Sequence, residues 1–139
     1  MFKYLGQCQC REVKVTLQSA LKPEEFQPRS DAKFCHFCAK HGGVWISDPK
    51  GFLHVDVNNK TKIERFASEQ VQFHFCMNCQ DLTYAIFVNP DDSQRVAVVR
   101  VALFNEIAPV AKPVIGTNFD GETKEAGKKR RLTNWTPID

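Results

Sequence analysis

The 139-residue chain has no apolar run approaching the ~20 residues needed to cross a bilayer. Its first ten residues, Met1 to Cys10, lack the apolar stretch of a secretory signal. These absences argue against a membrane-spanning protein and make the cytoplasm the expected compartment. A large charge of one sign is missing too, since the formal net charge is only +3, which does not announce a nucleic-acid binder. No window of ten or more residues carries a capped apolar stripe of 3.6-residue period, so helix should be scarce. Nor is there an internal repeat beyond a recurring pairing of cysteines.

What is present fits one globular domain spanning 1–139. Hydrophobic residues make up 42% and charged residues 25%, ordinary values for a soluble domain long enough to bury a modest core. Apolar residues alternate at Val13, Val15 and Leu17, at Leu53, Val55 and Val57, and at Val71, Phe73 and Phe75. A period of two is the mark of half-buried strands. Leu82 to Val88 and Val96 to Phe104 are longer strand-like stretches. Turn residues separate these runs at Lys22 to Ser30, Asp48-Pro49-Lys50-Gly51, Val57-Asn58-Asn59-Lys60 and Asn89-Pro90-Asp91-Asp92. Short strands joined by turns predict a mainly β, antiparallel assembly. Beyond Ile107 the pattern weakens through Pro109, Pro113, Gly116, Gly121 and Gly127, so 108–139 reads as a loop-rich segment packed on the domain, with Trp135 as its anchor.

The positive charge is uneven. Lys124, Lys128, Lys129, Arg130 and Arg131 fall close together with only Glu125 to offset them. Such a run can meet phosphates or an acidic partner, although a solvated loop or tail is its commoner use.

The six cysteines fall into Cys8-Gln9-Cys10, Cys35-His36-Phe37-Cys38 and Cys76-Met77-Asn78-Cys79. Reducing conditions argue against disulfides, and short paired spacings argue for a metal. A tight turn lets two thiolates face one ion, and tetrahedral zinc needs four donors, so two pairs complete a site. Spacing alone permits three pairings.

The order Gly6-Gln7-Cys8-Gln9-Cys10, then Cys35-His36-Phe37-Cys38 before Gly42-Gly43, then Phe75-Cys76-Met77-Asn78-Cys79, resembles the glutathione-dependent formaldehyde-activating enzyme family, which includes centromere protein V. The likeness covers roughly residues 3 to 104. It implies a zinc-stabilised β-tent fold of several small antiparallel sheets. It also implies a structural zinc held by Cys8, Cys10, Cys76 and Cys79. A catalytic zinc would sit on a Cys-x-Cys-x-x-Cys segment that maps onto positions 33, 35 and 38, and position 33 is Lys33. A protonated ammonium has no lone pair for a metal, so that second site keeps Cys35 and Cys38 with one ligand lost. His36, His41 and, more distantly, His74 are candidate replacement donors. His54 and His74 fall in strand patterns, where a satisfied or solvent-facing histidine is the commoner case. The family often carries glycine after the second cysteine of each structural pair, where a positive φ relieves the turn; this chain has Arg11 and Gln80.

Three functions follow. The resemblance implies a zinc-dependent carbon–sulfur lyase acting on a glutathione-like thiol adduct, with Cys35 and Cys38 holding the metal and Lys33 contacting an anionic group of the substrate. The alternative is a non-catalytic, zinc-stabilised binding module with a degenerate second site. A redox dithiol at Cys35 and Cys38 ranks last, because no helix is expected after Cys38 to lower a thiol pKa. Of the aromatics near the pairs, Phe34, Phe37, Trp45, Phe73 and Phe75 are expected mostly in the core, with some walling a pocket.

Overall fold

A computed structural model describes residues 1–31, 43–65, 71–117, 119 and 121–139. Lys33, Phe34, Cys35, His36, Phe37, Cys38 and His41 lie outside those residues. The described residues form two sheets and one α-helix, so the chain is mainly β. No helix among them is long and apolar enough to cross a membrane.

The smaller sheet comes from the first alternating runs. Strand β1 (Phe2–Gln7) pairs antiparallel with β2 (Lys14–Ser19), from Phe2 opposite Ser19 to Gln7 opposite Lys14. On its other side β2 pairs with β5 (Phe52–Val55), Leu17 facing Leu53. Val15, Leu17 and Leu53 point inward and are buried, with the polar residues between them turned outward, the one-faced burial that period two encodes.

The larger sheet runs in the order β10 (Ile115–Thr117), β3 (Arg29–Asp31), β4 (Trp45–Ile46), β9 (Arg95–Arg100), β8 (Leu82–Val88), β7 (Val71–Cys76) and β6 (Thr61–Glu64). An eighth strand, β11 (Thr136–Pro137), shares one edge of β9 with β4: Trp45 and Ile46 pair with Arg100 and Val99, Thr136 and Pro137 with Ala97 and Val96. Two sheets, one of them large, stand where several small ones were expected. The larger is not purely antiparallel, because β10 and β3 run parallel.

Strand β8 explains the layering. Tyr84 and Ile86 join the core shared with the small sheet, together with Leu17, Leu53, Val99 and Phe104. Ala85 and Phe87 join a second core on the opposite face, with Trp45, Phe73 and Val98. A strand buried on both faces is nearly continuous in apolar residues, which is why 82–88 reads as a run rather than an alternation; its buried Thr83 is satisfied by donating to the His74 carbonyl at 2.7 Å. The stretch expected as one strand from Val96 to Phe104 is divided: the ladder ends at Arg100, and a 3-10 turn at Val101–Leu103 brings Phe104 and Ile107 into the core.

The second core is covered by a helix where loop was expected. Helix α1 (Lys124–Asn134) starts at Thr123, whose hydroxyl accepts the Ala126 N–H at 3.1 Å, a side-chain N-cap. Its apolar surface is thin, with Leu132 and the following Trp135 packed against the core. Arginine stems supply the rest, so no apolar stripe marks it in the sequence. Trp135 does anchor the segment. The basic run is not a solvated loop: Lys128 pairs with Asp91 and Glu125, Arg130 with Glu122 through two bonds of 2.8 and 3.0 Å, and Arg131 is 8% exposed.

Candidate metal centre

The outer cysteine pairs occupy the turns of two hairpins, one from each sheet. Cys8 follows β1, and its N–H donates to the Val13 carbonyl at 3.0 Å across the turn into β2. Cys76 ends β7, and its N–H donates to the Asp81 carbonyl at 2.9 Å across the turn into β8. In both, the residue after the second cysteine is left-handed: Arg11 at φ 69° and Gln80 at φ 63°. Side chains other than glycine adopt that conformation at a cost.

These turns bring Cys8, Cys10, Cys76 and Cys79 together, with every sulfur within 4.8 Å of the others. Cys8 and Cys10 Sγ are 3.5 Å apart, Cys10 and Cys76 Sγ 3.6 Å. Four sulfurs ~2.3 Å from a tetrahedral ion stand ~3.8 Å from one another, so the cluster fits a metal of zinc's size. Backbone N–H groups point at two of the sulfurs, Val13 to Cys8 at 3.3 Å and Asn78 to Cys76 at 3.4 Å. That arrangement favours thiolate over thiol. Each pair sets one cysteine in the interior and one half-buried.

Without a cation Cys8, Cys10 and Cys76 are driven in different directions. Burial pushes Cys76 up to about 12 and raises Cys8, whereas Cys10 is lowered to about 6, chiefly by a hydrogen bond from the Asn78 side chain. A divalent cation resolves the conflict by stabilising all four as thiolates, with release of the protons they held. A carboxylate fastens the two turns together outside the sulfurs. Asp81 accepts the Gln9 N–H at 3.1 Å on one oxygen and Arg100 Nη1 at 2.8 Å on the other. Sequence reasoning passed over Asp81; its place directly after the second cysteine turn was the available signal.

The two histidines that can be described stand apart from this cluster. His54 is exposed on β5 and bonded to Asp139. His74 is buried, stacked on Tyr84 at 4.6 Å between centroids, and bonded through Nδ1 to the Thr61 hydroxyl at 2.8 Å. Burial, then Arg95 and Arg65, lower its pKa to about 4, so it is neutral near pH 7. Cys35, Cys38 and Lys33, the expected centre of catalysis, lie outside the described residues with His36 and His41. Trp45, Phe73 and Phe75 are core residues as expected.

Fold and site together define a mainly β protein with a four-cysteine centre that could hold a metal ion. The chain matches no family model and no curated protein. It is similar to a crystal structure of a Rhodobacter sphaeroides protein, a structural genomics target, over 76% of this chain and 91% of that one, with 19% identity and a TM-score of 0.51. At that identity the likeness is one of fold.

Proposed function

We propose that this protein is a zinc-binding β domain of the glutathione-dependent formaldehyde-activating type, its four-cysteine centre structural and its chemistry carried by Cys35 and Cys38. One observation carries the reading. Among the described residues the first and last cysteine pairs meet, the same two that hold the structural zinc in the family this sequence resembles. The left-handed Arg11 and Gln80 add support, because they occupy the places where that family often has glycine. Zinc is the metal that a compact set of four thiolates favours.

Four sulfurs leave no coordination position open. Such a centre holds hairpins, not substrate, and reactivity belongs to the remaining pair. There, two cysteines and no third thiolate leave room for a substrate donor. Zinc bound to them would lower the pKa of a thiol or hydroxyl and polarise the carbon–sulfur bond being made or broken. Lys33 would hold an anionic group of the thiol adduct, and the cytoplasm, rich in such thiols, is the compartment this reading implies.

The test is to follow adduct formation from glutathione and formaldehyde by NMR exchange on the zinc-loaded protein, with Cys35→Ser and Cys38→Ser alongside. Turnover in the parent and its loss in both variants, with one zinc retained, is the expected outcome. Turnover that survives both substitutions would overturn the assignment. The alternative, a non-catalytic binding module, is favoured by Lys33 standing where the family has a cysteine. It predicts one zinc per chain and no turnover in the parent.

A further inference from the structure

The face of the large sheet that lies under helix α1 is not filled. A cavity of about 150 Å³ remains there, with Trp45, Phe73 and Trp135 and the three arginines Arg29, Arg130 and Arg131 among the residues lining it. Cavities of this size lined only by apolar groups stay dry or take a molecule such as benzene. Three guanidinium groups around aromatic walls ask for something else.

The three arginines are not equivalent. Arg130 is committed, with two bonds to the Glu122 carboxylate and its guanidinium 3.6 Å above the Phe119 ring. Arg131 lies over Phe87 at 5.2 Å and Trp135 at 5.9 Å. Arg29 is bonded to the Ser47 hydroxyl at 2.5 Å, and Ser47 in turn donates to the Asn134 carbonyl at 2.8 Å, at the end of α1. That relay fixes the Arg29 guanidinium, which lines the cavity. Among the described residues no carboxylate pairs with it, and both burial and the charge of Arg130 lower its pKa. A half-buried cation beside other cations is destabilising unless an anion joins it.

We infer that this cavity binds a small monocyclic aromatic carboxylate, its ring between Trp45, Phe73 and Trp135 and its carboxylate on the Arg29 guanidinium. The volume limits the ligand to about one ring. The aromatic walls favour a flat π face. The fork of an arginine pairs with a carboxylate through two parallel hydrogen bonds. Nothing in this site depends on the cysteines, so it stands or falls apart from the proposed lyase.

The chain's two tryptophans both line the cavity, so its occupancy reads out directly in their fluorescence. The zinc-loaded, full-length protein is titrated with benzoate, with benzamide as a neutral isostere and with acetate as an anion that has no ring. Benzoate should change the emission saturably, and both controls should bind at least tenfold more weakly. Arg29→Gln should weaken benzoate by about tenfold to a hundredfold, and Arg29→Lys by less. Equal binding of benzamide and benzoate, no saturable change with benzoate, or full affinity in a folded Arg29→Gln protein would each overturn the site. Should Arg29→Gln fail to fold, the benzoate-to-benzamide ratio in the parent decides.

Discussion

The two faces of the large sheet are closed in different ways. Toward the small sheet, Leu17, Leu53, Tyr84, Ile86 and Phe104 form one continuous core, and the four-cysteine cluster brings a hairpin of one sheet against a hairpin of the other. Toward α1 the cover is one 11-residue helix whose buried contacts are Leu132, Trp135 and arginine, and a cavity remains beneath it. The first face is packed, as a region that sets global stability must be, and carries the candidate metal centre. The second keeps charged groups and open volume, as a region that receives ligands must. Binding of the small aromatic carboxylate is thus expected where packing is incomplete.

The largest way to break this contrast is to dismantle the candidate metal centre. Cys76→Ser should abolish zinc binding at the four-cysteine centre and lower stability by roughly 5–10 kcal/mol, less than the ~10–16 of isolated zinc fingers because the sheets bury a core of their own. Chelation followed by thermal melts measures it. Acid should act in the same direction, since protons compete with the metal for thiolate sulfur.

Packing substitutions compare the faces directly. Phe104→Ala, on the sealed face, should cost about 3–5 kcal/mol in denaturant unfolding, whereas Leu132→Ala, half-buried under the helix, should cost about 1–2 kcal/mol. Equal costs would erase the distinction. Steric detail sharpens it: a Cβ on Gly6 would come within 2.7 Å of the Phe104 ring, so Gly6→Ala should also destabilise the sealed face.

His74 contributes a pH dependence. Its folded pKa of about 4 lies below the ordinary 6.5, so the unfolded chain binds the proton more readily. Stability is therefore full above pH 6.5 and is lost as pH falls toward 4, by up to about 3 kcal/mol. Unfolding free energies across that window, compared with those of His74→Gln, isolate this part from the loss of metal.

The smallest effect is a gain. Arg11→Gly and Gln80→Gly remove the cost of a left-handed side chain while adding chain entropy to the unfolded state. Each should leave a net stabilisation of roughly 0.5–1 kcal/mol in the zinc-loaded protein, read as a rise in Tm.

How much of this could be read in the sequence depended on how each segment buries its residues. The run 82–88 was legible because a strand buried on both faces is apolar at nearly every position, Thr83 being the exception. Val13 to Leu17 was legible because one buried face imposes alternation, and Val71 to Phe75 because its apolar residues alternate with Gln72 and His74, although His74 is buried as well. The strands β3 and β10 were not, since Arg29–Asp31 and Ile115–Thr117 are short and lack that alternation. Helix α1 was missed because arginine stems over aromatic rings do the covering that leucines do elsewhere, although Thr123, Glu125 and the basic end were helix signals. At the metal centre, spacing left three pairings and the resemblance singled out one. Asp81 and the arginines around the cavity act through contacts between segments far apart in the chain, which no local pattern reveals.

X-ray absorption at the zinc edge of the Cys35→Ser, Cys38→Ser double variant tests the central claim most directly. Retention of one zinc per chain with four sulfur neighbours at ~2.3 Å is the result predicted for a structural centre built from Cys8, Cys10, Cys76 and Cys79. Loss of the zinc, or a first shell containing nitrogen or oxygen in place of any of the four sulfurs, would contradict it.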